Sequence, residues 1–382
     1  MPLSIALSCT QAAIKWVHVY GDALVDSYLE ICEHLEAEGL FRVKNLSPIH
    51  RRRRDRIVSE FAFPNCLSEL KIDEWISKLS LNLDGEAYNN YRASPSLNDV
   101  IGILAGATIF LLGILKPIRS CEISDLKRDC ISFADGDGYW ITQSIAKSTK
   151  TGQRVEDELP IPRIVARALL MMDRLSQGLR QLTGACPESF ANHLFYLPHL
   201  DISDSLRADP LTGSRQRAFM DRFCDWLALP CDEYGRRWYV RIHECRKSFL
   251  ITFFWCFRYA SLDAARWIAG HRDARDIYAY IQANFPGMEL PDIECQYVTE
   301  QLWLHEASGE TEINNIEEVY REVCQHFKVR SLSLVDEGDL KDWLEMEFHR
   351  KAYSIRPYSV HVQGQIAETQ VCVRMKKGGR DA

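Results

Sequence analysis

From Ile101 to Leu115 the chain runs Ile-Gly-Ile-Leu-Ala-Gly-Ala-Thr-Ile-Phe-Leu-Leu-Gly-Ile-Leu, without a charged residue and with a single hydroxyl. A run this apolar has no polar face at the helical or the strand period, so whatever it forms must be covered on every side. It is shorter than the roughly 18 residues of a membrane span, and Pro117 helps to stop it, which together predict a buried core helix. The rest of the chain must then supply the cover. With 382 residues, 46% of them hydrophobic and 26% charged, there is material for two domains around such a core.

Arg119 follows the stop, within Ile118-Arg119-Ser-Cys-Glu122-Ile-Ser-Asp-Leu126. It is expected to emerge at the helix end, close to the start of the next helix, with Glu122 placed to orient it. Strand signals come next: residues 130–133, the turn Asp135-Gly-Asp-Gly138, the alternating stretch Tyr139–Ile145, a polar turn, and residues 158–162. They predict a small three-stranded antiparallel sheet. Asp135-Gly-Asp-Gly138 lacks the later acidic ligand of a calcium loop and reads as a turn. Residues 163–182 read as a helix, 183–214 as an irregular insertion rich in Gly, Pro, Asp and Ser, and 219–227 as another helix. The fold class expected is mainly α with one small antiparallel sheet, α+β.

The stretch Arg241–Tyr280 holds most of the candidate chemistry. His243 and Arg246 lie three apart and share a helix face. Leu250, Phe253 and Phe257 are expected to continue that face as an apolar stripe, aiming Arg246 into protein. A buried guanidinium calls for a carboxylate or a bound anion beside it, and a phosphate suits it well. Gly270-His271 and then Tyr278 and Tyr280 follow.

In order, these pieces are Arg119-x-x-Glu122-x-x-x-Leu126, His243-x-x-Arg246, Gly270-His271, and a Tyr nine residues after that His. The set resembles the catalytic part of the tyrosine recombinases, the phage integrases and their relatives. Two positions depart from that family's pattern: Pro117 stands where a Gly is common, and the Thr often found between Gly-His and Tyr is absent. The resemblance implies a site-specific recombinase that cleaves and rejoins DNA strands through a 3′-phosphotyrosyl intermediate, in DNA integration or recombination within a mobile element or a chromosome. Rival readings are a type IB topoisomerase-like enzyme and a catalytically idle DNA-binding or regulatory relative.

The roles that the resemblance assigns agree with the chemistry of the side chains. Arg119 and Arg246 are the clamp for the non-bridging oxygens of a crowded, doubly charged transition state. His243 and His271 donate to the same oxygens or take the proton of a phenol whose free pKa is near 10. In the family a lysine on the turn of the small sheet protonates the leaving 5′ oxygen. The strand Tyr139–Ala146 leads directly into Lys147, which favours it; Lys150, at the start of Lys-Thr-Gly152, stays open. Tyr278 and Tyr280 point about 200° apart on a helix, so only one can face the clamp. The nine-residue interval selects Tyr280 as the nucleophile and leaves Tyr278 as the alternative. No cofactor and no metal are expected: a Gly-rich phosphate loop with Lys and a compact carboxylate or His/Cys cluster are both missing.

Thirteen Cys without a Cys-x-x-Cys pair argue against a zinc site or a disulfide framework and point to a reducing cytoplasm, here on the nucleoid. The opening Met1–Ser8 lacks a basic n-region and reads as the lead-in to a helix. The net charge of −7 looks wrong for a DNA protein until it is divided. Residues after Tyr280 include 18 acidic and 11 basic, whereas the first 280 hold 35 of each. The acidity belongs to the C-terminal part.

The flanks complete the expected organisation. Residues 10–39 have helical periodicity through Ile14, Val17, Tyr20, Leu24, Tyr28, Leu29 and Ile31, with Gly21 as a break between two helices. The basic run Arg51, Arg52, Arg53, Arg54 and, later, Arg241 are candidate contacts to a DNA backbone; a solvated basic helical turn is the plain alternative. Loop chemistry around Asp84-Gly and Ser94-Pro-Ser96 puts a boundary near 97. The expected domains are a helical region 1–97, reduced relative to an integrase core-binding domain, a catalytic domain 98–285, and an acidic extension 286–382. In the extension, 312–327 and 341–353 read as helices and 359–363 and 370–374 as strands. Expected partners are double-stranded DNA, a dimer to tetramer on DNA, and an accessory protein at the extension, with no membrane.

Overall fold

The computed structural model describes residues 1–41, 46–76, 89, 91–145, 155–184, 186–199, 207–257, 262–270, 274–283, 289–362 and 365–375. It is mainly helical with small sheets, of the α+β class. Contacts divide the chain into two units, Met1–Phe249 and Leu250–Ala382. Neither boundary drawn from composition, at 97 or at 285, coincides with this division.

The first unit is built around the apolar run. Ser96 caps the helix: its Oγ accepts from the Asp99 N–H at 3.2 Å, and Asp99 Oδ2 accepts from the Ser96 N–H at 3.2 Å. The helix therefore starts at Leu97, earlier than the apolar run itself, and continues to Leu115. At 19 residues it is long and apolar enough to cross a membrane, contrary to the length argument from sequence. Its burial inside the protein, 94% of its most apolar window, makes it a core helix.

The covering helices precede and follow it. Leu3–Lys15 (α1) runs through a π-helical turn, Trp16–Tyr20, straight into Gly21–Ala37 (α2). Gly21 opens the second helix, as expected, but a π-helical turn and not a loop joins the two, and the helical backbone runs through it. A Cβ on Gly21 would stand 2.3 Å from Met171 Sδ, so its missing side chain admits the helix Arg163–Thr183. Pro48–Glu60 (α3) packs on α2, and the central helix is α4. A short helix Ser120–Ser124 (α5), Arg163–Thr183 (α6), Gly213–Leu227 (α7) and Ile242–Phe257 (α8) follow. At Gly106 of α4 the α7 backbone comes close: a Cβ there would fall 2.2 Å from the Phe219 carbonyl oxygen. Residues of α1, α2, α4, α6 and α7 share one hydrophobic core.

The expected sheet is present: β1 (Ile131–Ala134), β2 (Gly138–Ile145) and β3 (Val155–Ile161), antiparallel in that order. Asp135–Asp137 form the tight turn, with Gly136 and Gly138 at φ 85° and 88°, where glycine carries no steric cost. The stretch read as an irregular insertion is tied down. It contains a two-stranded ladder, β4 (Tyr196–Pro198) with β5 (Ala208–Pro210). Arg215 of α7 donates to the carbonyls of Leu197 and Pro198, each at 2.8 Å, and to that of Pro210 at 2.9 Å. A guanidinium thus satisfies backbone acceptors that the short strands leave over.

In the second unit the helices are Leu262–Ile268 (α9), Ala274–Gln282 (α10), Glu289–Ser308 (α11), Ile316–Phe327 (α12) and Glu337–His349 (α13). The sequence reading found α12 and α13 and missed α11, whose apolar residues fall on several faces. The strands Tyr353–Val362 (β7) and Gln365–Met375 (β8) form a long hairpin, longer than the two short alternating segments expected. A two-residue strand, Ile313–Asn314 (β6), joins β8 in parallel, giving the order β6-β8-β7.

Candidate functional site

Where α4 ends, the chain turns sharply through Lys116, Pro117 and Ile118, and Arg119 takes an extended conformation as the residue before α5. Glu122, one turn in, is only 1% exposed. Its Oε2 accepts from the Arg119 N–H at 2.8 Å and its Oε1 from Arg119 Nη1 at 2.7 Å. One buried carboxylate thus fixes both the backbone and the guanidinium, in the arrangement expected from the three-residue spacing.

Arg246 reaches the same place from α8. It is 9% exposed, and its Nη1 donates to the Pro117 carbonyl, which ties α8 to the turn that precedes Arg119. The inward face of α8 is not the stripe read from sequence. Leu250 and Phe254 are buried below Arg246, at successive four-residue steps, whereas Phe257 is 58% exposed and Phe253 is half-buried. A step of four advances 40° around the helix, so the seam drifts from the phase that mixed three- and four-residue steps would have kept.

Ile118–Ser120, the start of α7 and residues 241–246 enclose a cavity of about 210 Å³. Arg119, Arg217, Arg241, His243 and Arg246 line it, and among the described residues no acidic side chain does. Arg241 leans on Asp221 of α7, and its backbone N–H is held by Glu244 Oε2 at 2.8 Å, which starts α8. Gln216 closes the floor. Its Nε2 donates to the Ser120 carbonyl and to Ser124 Oγ, each at 2.7 Å, while its Oε1 accepts from Ser120 Oγ at 2.6 Å. A buried amide with both ends occupied locks α5 against α7 and holds Arg119 in place.

Lys116 was not among the candidates from sequence. It is 1% exposed, and burial pushes its amine from 10.5 down to about 7. The positive charge of Arg246 acts in the same direction, while Glu122 and Asp157 oppose it. Lys116 thus feels Arg246 on one hand and Glu122 and Asp157 on the other, while Glu122 is also the partner of Arg119, and an incoming anion would ease the crowding of positive charge beside Arg246. Gln216, Arg217 and Lys116 were illegible because their importance comes from tertiary contacts; a Lys directly after an apolar helix looks like an ordinary solvated end.

Lys147, Lys150 and His271 lie outside the described residues. Tyr280 belongs to α10, where its backbone alone is described. Tyr278, the alternative nucleophile, is 2% exposed and its hydroxyl donates to Glu294 Oε1. The basic run does not form a single surface. Arg51, Arg52 and Arg53 are exposed on α3, Arg53 pairing with Glu38, but Arg54 is buried and meets Asp55 at 3.2 Å. Neighbours on a helix point about 100° apart, so four consecutive Arg cannot share a face.

Compared with protein-family models and with curated proteins, the chain has no match.

Proposed function

We propose that the chain is a DNA strand-transfer enzyme of the tyrosine-recombinase kind, acting on duplex DNA as a dimer to tetramer. The observation that carries the reading is the cavity lined by Arg119, Arg241, Arg246 and His243 and, among the described residues, by no acidic side chain, beside the buried Lys116 and Glu122. Guanidinium groups approaching one point from separate segments match the non-bridging oxygens of a single phosphodiester. The order of the motifs along the chain adds the nucleophile, which no feature of the cavity supplies.

In this mechanism Arg119 and Arg246 hold the phosphate oxygens as charge builds on them. The phenol oxygen of Tyr280 forms a bond to phosphorus while the bond from phosphorus to the 5′ oxygen breaks. The phenol proton passes to His243 or His271, and Lys147 or Lys150 delivers a proton to the departing 5′ oxygen. The 3′-phosphotyrosyl linkage keeps the energy of the broken bond, so religation needs no nucleotide.

The test is a nicked suicide duplex carrying the protein's own genomic flanks, incubated in excess EDTA. A covalent protein–DNA band that survives denaturation is expected, and Arg246→Gln should remove it by at least about a hundredfold, the effect of losing a main oxyanion donor. Absence of the band from every flank tested would favour the idle relative. A band that requires magnesium would exclude the arginine-clamp mechanism.

A further inference from the structure

The second unit has a cavity of its own, about 690 Å³, within the size range that holds small-molecule ligands. Its floor is a row across the mixed sheet. Arg356 of β7 is paired with Cys372 of β8, and Cys372 is paired in turn with Asn314 of β6, so the three stand side by side on the same strand row. Its roof is α10, which contributes Arg275, Tyr278, Ala279 and Gln282, spaced as one helix face. Asn315 closes one end.

Among the described residues none of the side chains lining this cavity is acidic, although the unit, residues 250–382, has 21 acidic residues against 15 basic. Arg275 and Arg356 instead face it from opposite walls, and Gln282 and the two Asn add amides. In a unit of net negative charge, a pocket that gathers guanidinium and amide donors is a favourable place for an anion. The side chains around it are braced: the Tyr278 hydroxyl is bound to Glu294, Asn315 Nδ2 donates to Cys372 Sγ at 3.1 Å, and Asn314 Nδ2 donates to Gln370 Oε1 at 3.1 Å.

We propose that this cavity binds a small phosphorylated organic anion, with the phosphate between Arg275 and Arg356 and the organic part against Ala279 and Pro357. The site is distinct from the arginine-lined cavity of the first unit and does not depend on the recombinase reading. Because its roof is the helix that carries Tyr280, an occupant also restrains that helix.

Inorganic pyrophosphate is the probe, titrated calorimetrically into the full chain carrying Arg246→Gln, which disables the other arginine-lined cavity. Saturable binding is expected. Adding Arg275→Gln or Arg356→Gln should weaken it roughly ten- to a hundredfold, the range for losing one charge-assisted contact. Adding Ala279→Phe, which fills the cavity and keeps both arginines, should weaken it as well, while Lys341→Gln on α13, an exposed residue that does not line the cavity, should leave it unchanged. Pyrophosphate binding that ignores all three cavity variants overturns the proposal. So does the absence of pyrophosphate binding together with loss of duplex-DNA affinity in the two arginine variants, since the pair would then be a DNA contact.

Discussion

Replacing Lys116 by Met should stabilise the protein, and by an amount that depends on pH in one direction only. The side chain is fully enclosed, with Arg246 of α8, Glu122 of α5 and Asp157 of β3 as the charged groups around it. Its amine titrates near about 7 in the folded protein against 10.5 in an unfolded chain. At about 1.4 kcal/mol for each tenfold change in proton affinity, the charged amine costs up to about 5 kcal/mol. The folded-state value is depressed, so the unfolded chain binds more protons between these two values and stability rises with pH across that window. The cost is fully present below about pH 7 and is gone above about pH 10.5. Urea unfolding of wild type and Lys116→Met, followed by circular dichroism, should show the variant more stable near neutral pH. The gap should close by about 3 kcal/mol between about pH 7 and about pH 9.5. Parallel pH profiles, with a constant gap, would refute the claim that Lys116 is a buried amine titrating in this range.

Gly106→Ala should destabilise by roughly 1–3 kcal/mol in the same unfolding assay, because its Cβ would overlap the Phe219 carbonyl oxygen at 2.2 Å; an unchanged midpoint would mean that α4 and α7 can separate freely there. Asp225 behaves oppositely to Lys116: burial raises its carboxyl from 3.8 to about 6, so its contribution to stability falls as pH rises through that interval. Asp225→Asn should remove about 3 kcal/mol of that fall, keeping an acceptor for the Tyr239 hydroxyl, and a persistent slope would assign it to another group. Phe254→Ala should cost roughly 3–5 kcal/mol and Phe257→Ala no more than about 0.5 kcal/mol. The reverse order would restore the stripe read from sequence.

The sequence was most legible where a local rule and the tertiary structure ask for the same thing. The run 101–115 could only be covered on all sides, and it is. The alternation of 139–145 after a Gly-rich turn gives the central strand of the first sheet. Glu122 is spaced to meet Arg119 and does so with both oxygens. Legibility failed where packing overrides the local signal. Gly21 reads as a break because glycine weakens helices, yet the helical backbone runs on through it and its missing side chain admits Met171. Arg54 reads as one of a run of DNA-facing or solvated charges, and Lys116 stands out in no motif, yet both side chains are buried. Gln216 has no motif around it, and its role exists only once α5 lies against α7. The helix α11 lacks a single apolar stripe because neighbours cover it on several sides. In the candidate site, the pairing of Glu122 with Arg119 was readable from their spacing, while the neutral floor and the buried amine were not.

Mapping the nucleotide after suicide-substrate trapping tests the central claim most directly. The full chain is reacted with the nicked duplex in EDTA and digested with protease and nuclease, and the modified peptide is sequenced by mass spectrometry. The account predicts a nucleotide on Tyr280, with the adduct abolished and DNA binding retained in Tyr280→Phe. A nucleotide on Tyr278, or an adduct that survives Tyr280→Phe and disappears in Tyr278→Phe, would contradict it.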